Sequence, residues 1–491
     1  MVSAARTSSS TTNTRTSVIA LLHDAQAPRL PASPSERTPM RHRTLTRPRN
    51  NSTLLPVRGP RSLPLQSALR LRADPAQFAE NLRADYGDIA FITVLGRNIV
   101  IVQGPEALGE LVRDADRAFR NEPVYGFALG TLFERGILLM DTEEHRKHRR
   151  IMQAAFTADR LAGYQEQLNS LAAEAATRFT RGPDVDMRTE LKAMALDVAL
   201  ELFVGERLSR DDADRMNAAF VDLIEAGSAL VRVRVPGTMW ARGHRARGVV
   251  DEFFSDLLPA RRGADGPDLM SALCHARDDD GSQLSDQQVV DHMRFMLFAA
   301  HDTATIAMTS MAYRLGRDAR WRARVVDEAQ RLGEAPSAAT LKQSDVYQAV
   351  FKESLRLRPP VPVIPRAAIA DTSIGGHFIP KGTFVIAVSA SNHRIPEIWP
   401  RPDHFDPERF MPENAERRHR LAWAPFGGGA HQCIGMNFSY LEAATAIHHM
   451  ARRLDWTVDS DDYERRDVAL TANVGFSAAV TDARERSDTR R

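Results

Sequence analysis

Cysteine is nearly missing from this chain: its 491 residues contain Cys274 and Cys433 and no other. Two distant cysteines without a CxxC pair exclude a disulfide framework and a thiolate zinc site, and they fit a reducing compartment. Long apolar runs are missing too. A spanning helix needs about 20 apolar residues in succession, whereas the longest run near the start is Val18 to Leu22. No transmembrane anchor is expected, and the expected location is cytoplasmic. Neither sign of charge dominates. Against 65 Lys and Arg stand 63 Asp and Glu, which gives no electrostatic reason to bind nucleic acid or an anionic membrane. A small hydrophobic substrate suits such a chain better. No G-x-G-x-x-G follows a strand-like segment, so no dinucleotide fold is expected.

What is present divides by texture. The first fifty residues hold eight Arg against two acids, Asp24 and Glu36, among many Ser and Thr. Disordered tails and transit peptides share that composition. Residues 1–53 are read as a dispensable disordered tail, with organelle import as the alternative, and 54–491 as the working part. The length leaves two domains or one unusually large fold open. A helical pattern starts at Asp74-Pro75 and runs through Tyr86. Ile89–Leu95 and Asn98–Gln103, rich in Ile and Val and separated by Gly96-Arg97, predict a β-hairpin. From Pro105 to Arg356 helical periodicity dominates, with long helices predicted over 160–180, 188–204, 210–231 and 285–317. After Pro359 come Pro, Gly and short β-type runs such as Phe384–Val388, then a structureless stretch from Trp399 to Gly429, then a last helix over Met436–Leu454. The fold class is mainly α with a small β region. A stretch of that length without periodicity signals error or function, and the residues at its end decide which.

That end reads Pro425-Phe-Gly-Gly-Gly-Ala-His-Gln-Cys-Ile-Gly435 and runs directly into the last helical pattern. Cys433 sits at a helix start, where unpaired amides and the positive end of the dipole favour a thiolate. Such a sulfur is a ligand or a nucleophile. The glycines let the backbone pass close to something flat and bring amides near the sulfur. Cys274, within Ser-Ala-Leu-Cys-His, is read as a buried apolar filler. The segment resembles the signature loop of the cytochrome P-450 superfamily, F-x-x-G-x-x-x-C-x-G, through Phe426, Gly429, Cys433 and Gly435. His431 stands where the family more often carries an Arg directed at a heme propionate.

Distant motifs extend the resemblance. Glu353-Ser-Leu-Arg356 closes a helical pattern before Pro359, with both charges on one face. An isolated surface pair of this kind would contribute only a few tenths of a kcal/mol, so it carries weight only through context. The family's E-x-x-R is followed by a P-E-R-F element, matched here by Phe405-Asp-Pro-Glu-Arg-Phe410. The resemblance implies a buried triad of Glu353, Arg356 and Arg409 that locks the irregular stretch delivering Cys433. In the middle of the longest helical pattern, Ala299-Ala-His-Asp-Thr303 is similar to the family's A-G-x-D-T oxygen-activation motif. Thr303 would then hydrogen-bond the oxygen being activated while Asp302 relays protons, although a threonine bonding its own helix backbone is the commoner arrangement. The i, i+4 pair His145 and Arg149 matches the family's propionate-binding position, and Arg366, in the β-like run after Val361-Pro-Val, is expected as a further propionate contact. The remaining charges of that basic helix, with Arg417 and Arg418, are read as docking an acidic electron donor.

The resemblance spans about residues 54 to 490 and implies the family's triangular, mostly helical fold as one catalytic domain. It implies heme b (iron protoporphyrin IX) ligated by Cys433, O2 as co-substrate, and insertion of one oxygen atom into a C–H bond. Electrons would come from a separate ferredoxin or flavodoxin. Expected pocket walls are 121–137, 205–245, Phe295–Ala299, Val361–Ile364 and Ala472–Phe476. Val235–Arg247 resembles segments in members acting on sterols and retinoids, which points to a sterol, terpenoid or other lipid. Three alternatives have distinct signatures. A peroxide-driven peroxygenase needs no donor and no Thr303; a heme sensor or carrier binds without turnover; and a cysteine hydrolase would pair Cys433 with His431 or His393 and be colourless.

Overall fold

Ser285 and Gln288 open the longest helix among the described residues. The Ser285 hydroxyl accepts from the Gln288 amide, and the Gln288 side chain accepts from the Ser285 amide. This reciprocal cap satisfies two otherwise unpaired donors. Asp286–Arg317 follows, with Arg314 and Arg317 in the last turn complementing the helix dipole. This central helix is buried along most of its length and packs against Met187–Val198, Met239–Gly263, Asp345–Leu357 and Met436–Arg453.

The computed structural model describes residues 42–48, 52–61, 67, 75–94, 96–205, 209–227, 229, 232–414, 418–461, 463 and 475–483. Within them, Arg43 onward belongs to one compact unit. Its large core joins the helical faces, and two smaller cores line the sheet. The first described strand, His42–Thr44, precedes position 53, where the tail was expected to end. The remainder of that tail call, apart from 42–48 and 52–53, lies outside the described residues.

Most predicted elements are present with shifted ends. The hairpin is Ile89–Val94 paired antiparallel with Arg97–Val102, around Gly96 at φ +80°; Leu95 lies outside the described residues. The two strands sit inside a seven-stranded sheet whose order is His42–Thr44, Arg58–Pro60, Ile89–Val94, Arg97–Val102, Phe384–Ala387, Ile364–Ala368, Phe119–Arg120. Two three-stranded sheets complete the β region. The helix predicted over 160–180 is Ala158–Arg178, capped by the Thr157 hydroxyl. The one predicted over 188–204 is α-helical only over Met187–Val198 and continues as a π-helical turn, Ala199–Val204. Arg210–Gly227 replaces 210–231, of which 228, 230 and 231 lie outside the described residues, as does Asp74 before Pro75–Tyr86. The stretch from Trp399 to Gly429 is irregular rather than structureless: short 3-10 turns at Pro407–Phe410, Pro412–Asn414 and Arg420–Ala422 break it up, too short to leave a periodicity.

Candidate active site

The cysteine loop is shaped by its glycines. Gly427 and Gly429 take φ of +71° and +68°, and a Cβ on Gly429 would stand 2.0 Å from the Val112 carbonyl oxygen. No other residue fits there. The Cys433 amide donates to the Phe426 carbonyl at 3.0 Å and closes the loop. Phe426 stacks towards Phe351, centroids 6.2 Å apart. Helix Met436–Arg453 starts with Gly435 as its N-cap, two residues beyond the sulfur. Burial pushes the Cys433 thiol pKa up; the Gly435 amide, hydrogen-bonded to the sulfur, and the nearby Arg149 pull the other way without prevailing. Desolvation thus opposes the thiolate expected from helix position, and a cation at the sulfur would favour it. Yet Cys433 keeps exposed surface. A sulfur that is both desolvated and exposed faces an internal space rather than the outer surface.

The central helix shows the same signature. Its residues from Val289 to Leu297 are buried, but Phe298, Ala299, Ala300, Asp302 and Thr303 are half-exposed in mid-helix.

Four predicted residues converge beside the loop. The His145 and His431 rings stack with centroids 3.8 Å apart. Burial, then the charges of His431 and Arg149, bring the His145 pKa down to about 3. Arg149 acts electrostatically on both His145 and Cys433, and burial lowers its pKa. Burial likewise lowers the pKa of Arg366. Neither guanidinium has an acid within ion-pair distance among the described residues, and the one hydrogen bond of Arg366 goes to the Pro365 carbonyl. Two desolvated cations that no acid meets at ion-pair distance among the described residues, although Asp141 and Asp114 act on Arg366 from further off, fit an anionic prosthetic group such as heme with its two carboxylates.

The ion-pair motif is the opposite case. Glu353 and Arg356 are fully buried and doubly bonded, at 2.7 and 2.8 Å. Arg356 also donates to the carbonyls of His393, Pro402 and His404. Glu353 accepts from the Asp406 amide at 2.8 Å, and Arg409 Nε stands 3.5 Å from its Oε1. The three predicted residues are brought together, and their contacts hold the irregular stretch ahead of the cysteine loop.

Asp302 and Thr303 have separate partners. The Thr303 hydroxyl donates to the Ala299 carbonyl at 2.7 Å, the commoner arrangement for a helical threonine. Asp302 Oδ1 is buried without a hydrogen-bond partner among the described residues, 3.7 Å from His301 Nδ1. The carboxylate also acts on Lys192, whose pKa burial lowers.

Several expectations need correction. The basic helix does not offer free charges for docking: Arg146 pairs with Glu143, Lys147 with Asp280 and Arg150 with Asp278. Arg418 is tied to the Arg409 carbonyl and lies over the Trp399 ring; Arg417 lies outside the described residues. Phe476 is no pocket wall, because it packs among Tyr313 and Tyr463 in the core; 472–474 lie outside the described residues. His393 cannot serve Cys433 as a base, since one ring nitrogen faces the Arg356 carbonyl and the other accepts from the Ala424 amide. The loop 121–137 and Phe295–Ala299 do meet, with Phe133 and Phe298 centroids 4.3 Å apart.

Sequence reasoning missed Asn121, Tyr125 and Asp141. Asp141 accepts from the Asn121 and Glu122 amides and lies 3.6 Å from His431 Nε2. Burial opposes its charge, but these contacts outweigh burial and keep its pKa low. The Tyr125 hydroxyl, its pKa raised by burial, feels the charge of Arg366. Asn121 before Glu122-Pro123 reads as an ordinary helix cap, yet its side chain caps nothing and turns to His431.

Comparison with known proteins agrees with this geometry. The family model for cytochrome P450 matches residues 57–474. The chain is 38% identical over 439 residues to putative cytochrome P450 136 of Mycobacterium tuberculosis, covering 86% of this chain and 87% of that protein. It is 27% identical to pentalenene oxygenase of Streptomyces avermitilis, covering 82% and 91%. Among solved structures, the retinoic acid-bound cyanobacterial CYP120A1 superposes with a TM-score of 0.74 at 26% identity, over 83% of this chain and 94% of that one. Family match, fold and motif-bearing loop agree: this chain belongs to the cytochrome P450 family and is a heme monooxygenase, an oxidoreductase that incorporates oxygen from O2.

Proposed function

We propose that Cys433 is the ligand of a heme b iron, that Arg149, Arg366, His145 and His431 hold the propionates, and that Asp302 and Thr303 manage protons for oxidation of an isoprenoid or sterol-like lipid. The observation that carries this reading is that Arg149 and Arg366, neither with an acid at ion-pair distance among the described residues, both act on His145 and on His431 of the loop that bears the sulfur. When bound, the heme supplies O2 activation and insertion of one oxygen atom into a C–H bond. The chain's part is positional. The Gly435 amide tunes the sulfur's donation, while Phe426, Gly429 and Gly435 let the loop approach a flat group. Glu353, Arg356 and Arg409 lock the segment that delivers the loop. Thr303 Oγ1, whose hydrogen is committed to the Ala299 carbonyl, is left as an acceptor that can hold a proton-bearing oxygen. Asp302, whose Oδ1 has no hydrogen-bond partner among the described residues and whose charge acts on Lys192, would take up a proton and pass it on.

The catalytic domain is assigned to 54–491 together with the strand and core residues from Arg43 that join it, and the tail to the residues before them. Among the described residues no helix is long and apolar enough to cross a membrane; a cytoplasmic enzyme served by a ferredoxin or flavodoxin is the matching proposal. The half-exposed Phe298, backed by the buried Phe133 and Phe295, together with the retinoic acid and pentalenene named for similar proteins, supports the lipid class. The test is a spin-state titration with retinoids, sterols, cyclic terpenoid hydrocarbons and small polar aromatics, followed by turnover of each binder with ferredoxin, reductase and O2, or with peroxide alone. Isoprenoids should bind and turn over only with the donor and O2. Preference for polar aromatics would overturn the substrate class, and turnover with peroxide but not O2 would favour the peroxygenase reading.

A further inference from the structure

The loop 130–136, between helix Glu122–Leu129 and the 3-10 turn Ile137–Leu139, carries Phe133, which is fully buried behind the half-exposed Phe298. Its conformation is imposed from outside. Arg135 takes φ +59°, which a residue other than glycine keeps only where its surroundings hold it. Two arginines from two other helices do the holding. Arg247, on helix Met239–Gly263, donates to the Thr131 carbonyl at 2.8 Å and meets the Glu134 carboxylate at 3.2 Å, so it grips the loop on both sides of Phe133. Its Nε lies 3.3 Å from Asp251 Oδ2. The other oxygen of Asp251 bonds Arg294 of the central helix, which also bonds Asp291 at 2.7 Å and stands 3.5 Å from the Glu134 carbonyl oxygen. The Arg294 side chain is fully buried, so this end of the network is an anchor whose loss would strand charge. Glu134 is more than half exposed, so the grip on the loop is the end that water reaches. Clamp and wall share one stretch of helix: Phe295 follows Arg294, and Gly136 lets the loop close on it, since a Cβ there would stand 2.7 Å from the Phe295 ring.

We propose that Arg247 is a positioning residue that sets ligand preference: by holding Thr131 and Glu134 it keeps Phe133 behind Phe298, and so keeps firm the apolar wall one helical turn before Asp302. This rests on the reading of the space before Cys433 as a heme pocket that Phe298 borders. A wall with a fixed backing packs closely on a ligand. One whose backing can swing away gives up those contacts even though every wall residue is still present. Arg247 bonds Thr131, Glu134 and Asp251, and none of the residues assigned to the heme or to proton transfer. Its effect should therefore fall on ligands large enough to touch the wall and spare those that are not.

The experiment uses the heme-loaded holoenzyme and two azole probes, imidazole and 4-phenylimidazole, each titrated by the Soret shift as its ring nitrogen binds the iron. Wild type is compared with Arg247→Gln, Glu134→Gln, Phe133→Ala and the Arg247→Gln/Phe133→Ala pair. Imidazole, too small to reach the wall, should bind every variant within about twofold of wild type. The phenyl probe should bind Arg247→Gln and Phe133→Ala about tenfold more weakly, the scale of one lost aromatic packing contact, and the pair no more weakly than Phe133→Ala alone. Glu134→Gln, which leaves the Thr131 contact in place, should weaken the phenyl probe about two- to fivefold. Equal weakening of both azoles in Arg247→Gln would mean that Arg247 supports the fold and not the wall, and additive losses in the pair would mean that it does not act through Phe133. Either result overturns the proposal, as does wild-type affinity of Arg247→Gln for the phenyl probe. If imidazole shifts no Soret band in wild type, the heme-pocket reading falls first, and the clamp proposal with it. Should Arg247→Gln fold poorly, Glu134→Gln, altered at an exposed side chain, decides alone by whether its loss is confined to the phenyl probe.

Discussion

The ion-pair lock and the cradle around Arg149 and Arg366 both place arginines in the protein interior, and they resolve that burial in opposite ways. Arg356 has two carboxylate bonds and three carbonyl acceptors. Arg149 and Arg366 have no acid at ion-pair distance among the described residues, and burial lowers both pKa values. A buried charge whose partners all come from the chain builds structure; one without partners marks a place where another molecule must bring the counter-charge. The same contrast separates Glu353, bonded on both oxygens, from Asp302, with an unpartnered Oδ1.

Mutations should divide along this line. The largest effect is expected from Arg356→Ala, which strands the Glu353 carboxylate and should cost roughly 3–5 kcal/mol. Urea unfolding of the apoprotein and heme content after expression would both show the loss. If the apoprotein is as stable as wild type, the lock is not structural. For Arg149→Leu and Arg366→Leu the order reverses: apoprotein stability should hold or rise, while heme release accelerates about 10- to 100-fold, the worth of one charge-assisted hydrogen bond at about 1.5–3 kcal/mol. Equal loss of apoprotein stability in both groups would erase the distinction.

A pH effect sharpens the comparison further. Glu442 is buried, and burial raises its pKa to about 8. Unfolding would return it to the ordinary carboxyl range, so between about pH 4.5 and 8 the folded state holds a proton that the unfolded state has lost. Stability therefore falls as pH rises through that window, and Glu442→Gln should flatten the decline in Tm. On the acid side, His448 and His449 are held by burial near about 4 and about 3; their contribution is present above the unfolded histidine pKa and is lost as pH falls through the folded values. The smallest structural effect is expected for Thr303→Ala. Its hydroxyl bonds only its own helix, so Tm should change little while product formed per O2 consumed drops; a peroxygenase would keep its peroxide-driven rate.

How far the site could be read in advance followed the distances along the chain. Phe426 to Gly435 lie within one loop, Glu353 and Arg356 on one helical turn, and Asp302 and Thr303 side by side, so spacing alone displayed them. Asn121 and His431 lie 310 positions apart, and nothing local announces such a contact. The same applies to Lys192 near Asp302. Pairing also escaped the sequence: Lys147 looks free for docking until the loop at Asp280 folds against it. The hairpin and central helix were legible because period and caps are local. The π-helical turn at Ala199–Val204 was not, since its residues keep the helical apolar pattern while the hydrogen bonding widens.

The most direct test of the central claim is the absorption spectrum of dithionite-reduced protein under carbon monoxide, recorded for wild type and for Cys433→Ser. The account predicts a Soret band at the position diagnostic of thiolate ligation in wild type and its loss in the variant. A wild-type protein without heme, or a spectrum indifferent to Cys433, would contradict it.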